Sequence, residues 1–251
     1  MPMLISLITV SYNACDSLEE TIKSVRAQEF KDFEYIIIDG GSKDNTSIMV
    51  KDYQDLISLY VSEPDGGIYE ALNKGLSYAK GRVLGFIHAN DRFANPQVLS
   101  KIASLFDKEN PDVVYGDLQY VSSFEPLKIF RNWKSGSFDA SKVRRGWMPP
   151  HPSVYFSREV LQKVGYFDTS YKISADYEWL LRLMLREDII MVYLPEVLVY
   201  MAIGGASNRS LKSIIQKSRE DYRAIRKNKA GGLFTLLSKN FSKLGQFFSG
   251  K

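Results

Sequence analysis

Strand-like and helix-like segments alternate four times within about the first hundred residues of this 251-residue chain, and no other feature limits the fold as much. Residues 4–12, 33–39, 57–62 and 82–88 are short apolar runs rich in β-branched side chains, the signature of buried strands. Between them, Leu18, Ile22 and Val25 recur at helical spacing over residues 16–28, and residues 44–53 read as a second helix. Ile68, Ala71, Leu72, Leu76 and Ala79 line one face of residues 67–80, which stop at Gly81, and a fourth helix follows over 96–107. The alternation predicts an α/β fold: a Rossmann-like, mostly parallel sheet with helices on both faces. In such sheets ligands sit beyond the carboxyl ends of the strands. Asn13, Asp39, Asp65 and Asp91 each follow one of the first four strands, so four separate turns bring polar groups to one edge.

After Asp112 the rhythm changes. Residues 113–121, 127–132, 153–156 and 190–200 read as strands with short helices between them, and 177–186 is the clearest helix of this half. Residues 210–248 read as two helices broken at Gly231-Gly232. No run is long and apolar enough for a membrane span, and the start lacks a basic region followed by an apolar one, so a cytoplasmic protein is expected.

Several chemistries lack their signature. No G-x-G-x-x-G follows the first strand and no phosphate-binding P-loop occurs, which disfavours a dinucleotide enzyme or a P-loop NTPase. One cysteine, Cys15, rules out an internal disulfide, and two histidines, His88 and His151, make a poor zinc set. Carboxylates at the strand ends instead suit a nucleotide held through its base, its ribose and a metal-bound diphosphate.

The runs Thr9-Val10-Ser11-Tyr12-Asn13 and Ile38-Asp39-Gly40-Gly41-Ser42-Lys43-Asp44-Asn45-Thr46 resemble the opening of the family 2 glycosyltransferases. Ser62 to Gly75, Ile87-His88-Ala89-Asn90-Asp91 and Ala175-Asp176-Tyr177-Glu178 extend the resemblance over roughly residues 4–205, closest to the colanic-acid and capsule branch. The resemblance implies a GT-A fold, a nucleotide-sugar donor (a UDP-sugar), inversion at the anomeric carbon, and Mg2+ or Mn2+. It implies a nucleotide-sugar-binding half over 1–112 and an acceptor-binding half over 113–205. Thr9, Ser11, Asn13, Asp39, Asp65, Lys74, Asn90 and Asp91 then belong to the donor. Where relatives carry two acids for the metal, this chain has Asn90-Asp91, leaving Asp91 alone as a metal ligand and a non-catalytic nucleotide-binding scaffold as the rival reading. Asp176, at a helix start, matches the general base that takes the acceptor proton. His151, Glu178 and Trp179 would face the donor or acceptor sugar, with a structural or core role the alternative for each. Asp44 reads as a helix N-cap and Asp168 as the organiser of the turn before the base.

The remaining residues, 206–251, read as a basic amphipathic helical appendage. From Gly205 onward there are eleven Lys or Arg against Glu220 and Asp221, within a net charge of +4, and apolar residues alternate with the cations. Such a helix suits an anionic membrane surface, placing the enzyme on the inner face of the cell membrane near a glycan or polyprenyl-diphosphate-linked acceptor. The alternative is a helix packed on the domain with a solvated basic face. Nucleic acid is not an expected partner, because no binding motif accompanies the charge and the body is net acidic.

Overall fold

The computed structural model describes residues 4–203 and 211–245. They form one nine-stranded sheet flanked by helices. Strands β1 (Ile5–Ser11), β2 (Phe33–Asp39), β3 (Leu59–Ser62) and β4 (Val83–Phe86) make a parallel block in the order β3-β2-β1-β4. Three helices connect them in turn: α1 (Cys15–Arg26), α2 (Thr46–Met49) and α3 (Ile68–Tyr78). The helix expected over 44–53 is one α-turn followed by a 3-10 turn, Val50–Tyr53.

The second half extends the sheet by mixed pairing. β6 (Val113–Phe124) runs antiparallel to β7 (Leu127–Trp133) and β8 (Val154–Ser157) and parallel to β9 (Met191–Ala202), while β8 joins β4. One strand was not foreseen. The chain turns back after β4, and Asp91 opens a three-residue strand, β5 (Asp91–Phe93), antiparallel to β9. Asp91 therefore stands at a strand start and not in a simple turn after the fourth strand. Three residues carry no readable period, so the pairing comes from β9 and not from local pattern.

Two apolar clusters cover the two faces. On one, α1 and α4 (Val98–Glu109) pack Leu18, Ile22, Leu99, Ile102 and Phe106 against Leu7, Ile37 and Val114. After β7 comes the single-turn helix α5 (Ala140–Val143). On the other face, α3, α6 (Arg158–Val164) and α7 (Ala175–Met184) pack Leu72, Leu76, Val160, Leu180 and Trp179 against Ile8, Ile38, Phe86 and Phe156. Each large side chain buried this way stabilises the fold by about 1.5–3 kcal/mol. Helix α3 approaches the sheet closely at Gly75, where a Cβ would lie 2.5 Å from Ile8 Cγ2.

The basic tail packs on the body. Helix α8 (Leu211–Lys227) buries Ala224 and Ile225 in the second cluster, beside α7. Asp221 of α8 is 1% exposed and lies 2.8 Å from Lys239 of α9 (Leu233–Gly245) and 3.1 Å from Lys217. Lys239 Nζ also stands 3.2 Å from the centroid of the Tyr177 ring on α7. Lys227 bridges Asp168 at 2.9 Å and Glu178 at 3.0 Å. Several of the counted cations thus point inward. Apolar residues nevertheless remain on the surface of α9: Leu233, Phe234, Leu237 and Phe241. Phe247 and Phe248 of the expected tail lie outside the described residues.

Candidate active site

The carboxyl ends of β1, β2 and β3 are tied together by one buried acid. Ser11, Asp39 and Ser62 are neighbours in register. Asp39 accepts hydrogen bonds from Ser11 Oγ at 3.2 Å, Ser42 N at 2.9 Å and Ser62 Oγ at 2.6 Å, and from Ser42 Oγ as well. A carboxylate has about four acceptor positions, so Asp39 is fully engaged in shaping the rim. Asn13, at φ +47°, donates its amide to Ser42 Oγ and accepts from Lys43 N at 2.8 Å, which joins the first two strand-end turns. Asp44 adds to that junction by accepting from Cys15 N and from both Thr46 N and its hydroxyl. It sits one residue before the Asn45 N-cap, so the capping role expected for it is replaced by this cross-link.

Asp65 joins this rim. A Cβ on Gly40 would lie 3.0 Å from Asp65 Oδ2, which shows how near Asp65 comes to the end of β2. Its Oδ1 accepts from Gly67 N at 2.9 Å, setting the turn into α3. Tyr12, 63% exposed, has its ring edge against Gly40 as well. The sequence motif contains this tyrosine, but nothing in its pattern singled out the ring as a rim wall. Lys74 pairs with Glu63 at 2.6 Å, so it faces the rim as half of an ion pair. Thr9 does not reach the rim. It is fully buried, donating to Ile87 O at 2.6 Å and sharing a hydrogen bond with Tyr35, because strand alternation points it into the α1-side core.

A second group gathers beside the end of β4. Asn90 is left-handed, at φ +80°, and its amide donates to Thr21 Oγ1, which in turn donates to Asp91 O at 2.8 Å. Helix α1 thus fixes the backbone that presents Asp91. The Asp91 side chain is 3% exposed, its Oδ2 has no hydrogen-bond partner, and burial pushes its carboxyl well above the usual range. His88 and His151 stack at 5.8 Å, and Phe86 stacks 5.0 Å from His151. Burial pushes His88 down to about 3, helped by His151 and opposed by Asp176; burial also lowers His151, again against Asp176. Both rings are therefore neutral at pH 7. Tyr120 feels Asp91 and Asp176 together. Asp91, Asp176, Tyr120 and the two histidines accordingly share one neighbourhood.

Asp176 lies in the first turn of α7 and accepts from Tyr69 OH at 3.2 Å; that hydroxyl also donates to Ile173 O at 2.6 Å. Tyr69 comes from α3, just after Asp65-Gly66-Gly67, so the same short segment touches both sides of the site. The two residues expected beside Asp176 are elsewhere. Trp179 is fully buried, donating Nε1–H to Gly165 O and packed 4.8 Å from Phe156. Glu178 is also fully buried, between Arg182 and Lys227. Helix α7 is covered nearly all round, so positions that look like a sugar-facing wall are core and structural ion pair.

Metal ligation has one protein candidate. Among the described residues no three His, Cys, Asp or Glu gather as a ligand set. Asp91, with its Oδ2 free of hydrogen bonds, is the residue that would hold an ion together with substrate phosphates, a mode Mg2+ commonly adopts.

Residues 6–165 match the sequence profile of Glycosyl transferase family 2. The chain belongs to this glycosyltransferase family. A Mycobacterium tuberculosis H37Rv protein named as an uncharacterized glycosyltransferase is 33% identical over 72% of this chain and 69% of its own length. A PGL/p-HBAD biosynthesis glycosyltransferase of Mycobacterium bovis is 27% identical over 82% of this chain and 79% of its own. S. aureus TarS 1-349 in complex with UDP-GlcNAc superposes with a TM-score of 0.69 at 18% identity, covering 90% of this chain and 65% of that one. The mannosyltransferase PcManGT from Pyrobaculum calidifontis, in complex with GDP-Man and Mn2+, gives 0.67 at 16%, covering 98% and 73%. Against a longer TarS chain the match spans 40% of its length. At such identities the structural neighbours establish the GT-A fold, and the family match establishes a glycosyltransferase.

Proposed function

We propose that this family 2 glycosyltransferase moves one sugar from a UDP-sugar to a hydroxyl of a glycan or lipid-linked acceptor, with inversion, in bacterial surface polysaccharide assembly. The observation that carries the reading is the shared neighbourhood of Asp91, with a free buried oxygen, and Asp176, at the edge organised by Asp39. The exposed Tyr12 ring beside Gly40 and Asp65 offers a wall for the nucleobase, and Asp65 an acceptor for ribose hydroxyls. Asp39 shapes the floor beneath them. Asp91 would hold Mg2+ or Mn2+ together with the diphosphate, and the ion would offset the charge of the leaving group. Asp176 takes the acceptor proton as the hydroxyl attacks, and Tyr69 holds its carboxylate in place. TarS, bound to UDP-GlcNAc, and PcManGT, bound to GDP-Man and Mn2+, support a nucleotide-sugar donor.

The exposed apolar face of α9, with exposed Arg144 and Arg145 on the turn whose carbonyl accepts from Thr235, supports peripheral attachment to an anionic inner membrane surface. The test is a UDP-sugar panel with UDP release as readout. Turnover is expected with one donor, lost in Asp176→Asn and in EDTA, and restored by Mn2+. UDP binding without turnover across donors and acceptors would favour the scaffold reading that Asn90 motivates; unchanged turnover in EDTA would remove the metal.

A further inference from the structure

We propose that Glu220, on the tail helix α8, is a positioning residue for Asp176. The proposal rests on the reading of Asp176 as base. Glu220 Oε2 accepts from three successive backbone amides: Lys172 N at 3.1 Å, Ile173 N at 2.8 Å and Ser174 N at 3.0 Å. Its Oε1 receives Gln216 Nε2 at 2.9 Å and a second contact from Lys172 N at 3.2 Å. These three residues are the entry into α7, and Asp176 is the second residue of that helix. Ser174, at the N-cap, makes no capping bond of its own. The anion that an N-terminus favours is supplied instead by another helix, 46 residues further along the chain.

The neighbouring contacts make the arrangement a clamp. Residue Ile173 is gripped on both sides: its N–H by Glu220 from α8, its C=O by Tyr69 from α3. The same Tyr69 hydroxyl then reaches Asp176. Glu220 is itself held firmly, since the next residue, Asp221, is buried between Lys217 and Lys239. Burial pushes the Glu220 carboxyl up, and Gln216 with the three amides brings it below its ordinary value, so it is ionised at neutral pH. An ionised carboxylate that spends both oxygens on one turn fixes the direction in which the following residues leave it. A displacement of about 1 Å at a catalytic group costs on the order of a hundredfold in rate.

The test compares Asp176→Asn, Glu220→Ala and Glu220→Gln with the unaltered protein. UDP release is followed from whichever of UDP-glucose, UDP-galactose, UDP-GlcNAc and UDP-GalNAc the unaltered protein turns over fastest. UDP affinity is measured by calorimetry. Glu220→Ala is expected to lower kcat roughly tenfold to a hundredfold, with donor KM and UDP affinity within about twofold. Glu220→Gln, which keeps one acceptor oxygen, should fall between. Full activity in Asp176→Asn would remove the base and this proposal with it. An inactive Asp176→Asn beside an unchanged kcat in Glu220→Ala would overturn the positioning role alone. So would a loss of UDP affinity parallel to the loss of kcat, which marks a general structural defect. If Glu220→Ala yields no folded protein, Glu220→Gln carries the same comparison: lowered kcat at constant UDP affinity supports the role, and unchanged kcat overturns it.

Discussion

Replacing Asp221 by Asn tests how strongly the tail is bound to the catalytic body. The substitution keeps the shape and removes one charge. Lys239 is 2% exposed and 2.8 Å from the carboxylate, whereas Lys217, at 3.1 Å, is 25% exposed and can turn to water. The cost therefore falls on Lys239, whose ammonium would face a neutral amide and the Tyr177 ring. Removing one partner of a buried ion pair costs about 3–5 kcal/mol. A desolvated cation–π contact recovers on the order of 2 kcal/mol in favourable cases, and this one exists already in the intact protein. The lower end, about 3 kcal/mol, is expected. For a chain of this size each kcal/mol shifts Tm by roughly 2–4 °C, so the melting point should drop by roughly 6–12 °C. Urea unfolding at pH 7 gives the free energy directly. The control is Asp221→Leu with Lys239→Met: replacing both ends by apolar groups of similar volume should restore most of the loss. A single variant within about 1 kcal/mol of the intact protein, or a double variant no more stable than the single, would refute the reasoning.

The same pair predicts a pH window. Burial raises the Asp221 carboxyl, but Lys239 and Lys217 hold it down to about 2. A depressed carboxylate stabilises above its unfolded value, near 4, and loses that contribution as pH falls through the folded one. The difference in urea midpoint between intact and Asp221→Asn protein should be constant from pH 7 to about 4 and shrink between about 4 and 2. Tyr69→Phe removes the hydroxyl shared by Ile173 O and Asp176; kcat should fall roughly tenfold, with stability reduced by about 1 kcal/mol in urea unfolding. Gly75→Ala places a methyl 2.5 Å from Ile8 Cγ2 in a tightly packed helix–sheet contact. Overpacking should cost about 1–3 kcal/mol despite the better helix propensity of alanine, again read from urea midpoints.

The parallel half was legible because each of its strands is an apolar run and each connecting helix shows a face, signals that survive without knowledge of partners. Asp91 and Asp176 were singled out by motif order, and the structure brings both near Tyr120. The failures have separate physical causes. Thr9 and Ser11 share one strand face, yet Ser11 ends the strand at the rim while Thr9, two residues back, is already under the core. Glu178 and Trp179 look available because they are large or charged, but α7 is wrapped by α6, α8 and the sheet. There Arg182 and Lys227 compensate a buried acid that the sequence shows only as an acid. Charge counting is blind to direction in the tail for a related reason. Eleven cations name a total, not a direction, and Lys217, Lys227 and Lys239 face inward to acids. Glu220 had no signal at all, since its partners in the entry to α7 are backbone amides that any sequence carries.

The two sides of the site are built by different means, and this has a consequence for how they respond to change. On the proposed donor side the polar groups stand at strand ends, where β1, β2 and β3 are hydrogen-bonded neighbours and Asp39 needs only serines in register to lock three turns at once. That rim is as rigid as the sheet. Asp176 instead begins a helix, and no ladder constrains its entry. Apolar packing would fix the position of α7 along and across the sheet, but it is non-directional and sets the first turn poorly. Hydrogen bonds at short range to a buried anion and a buried phenol are directional, and they grip the backbone on both sides of Ile173, three residues before the proposed base. The serines around Asp39 should then govern how well the nucleotide is held, and Tyr69 and Glu220 how well the proton is taken. Substitutions in the first group should appear in donor KM and in the second in kcat, a division that follows from how each side is held and not from distance to the reacting atoms.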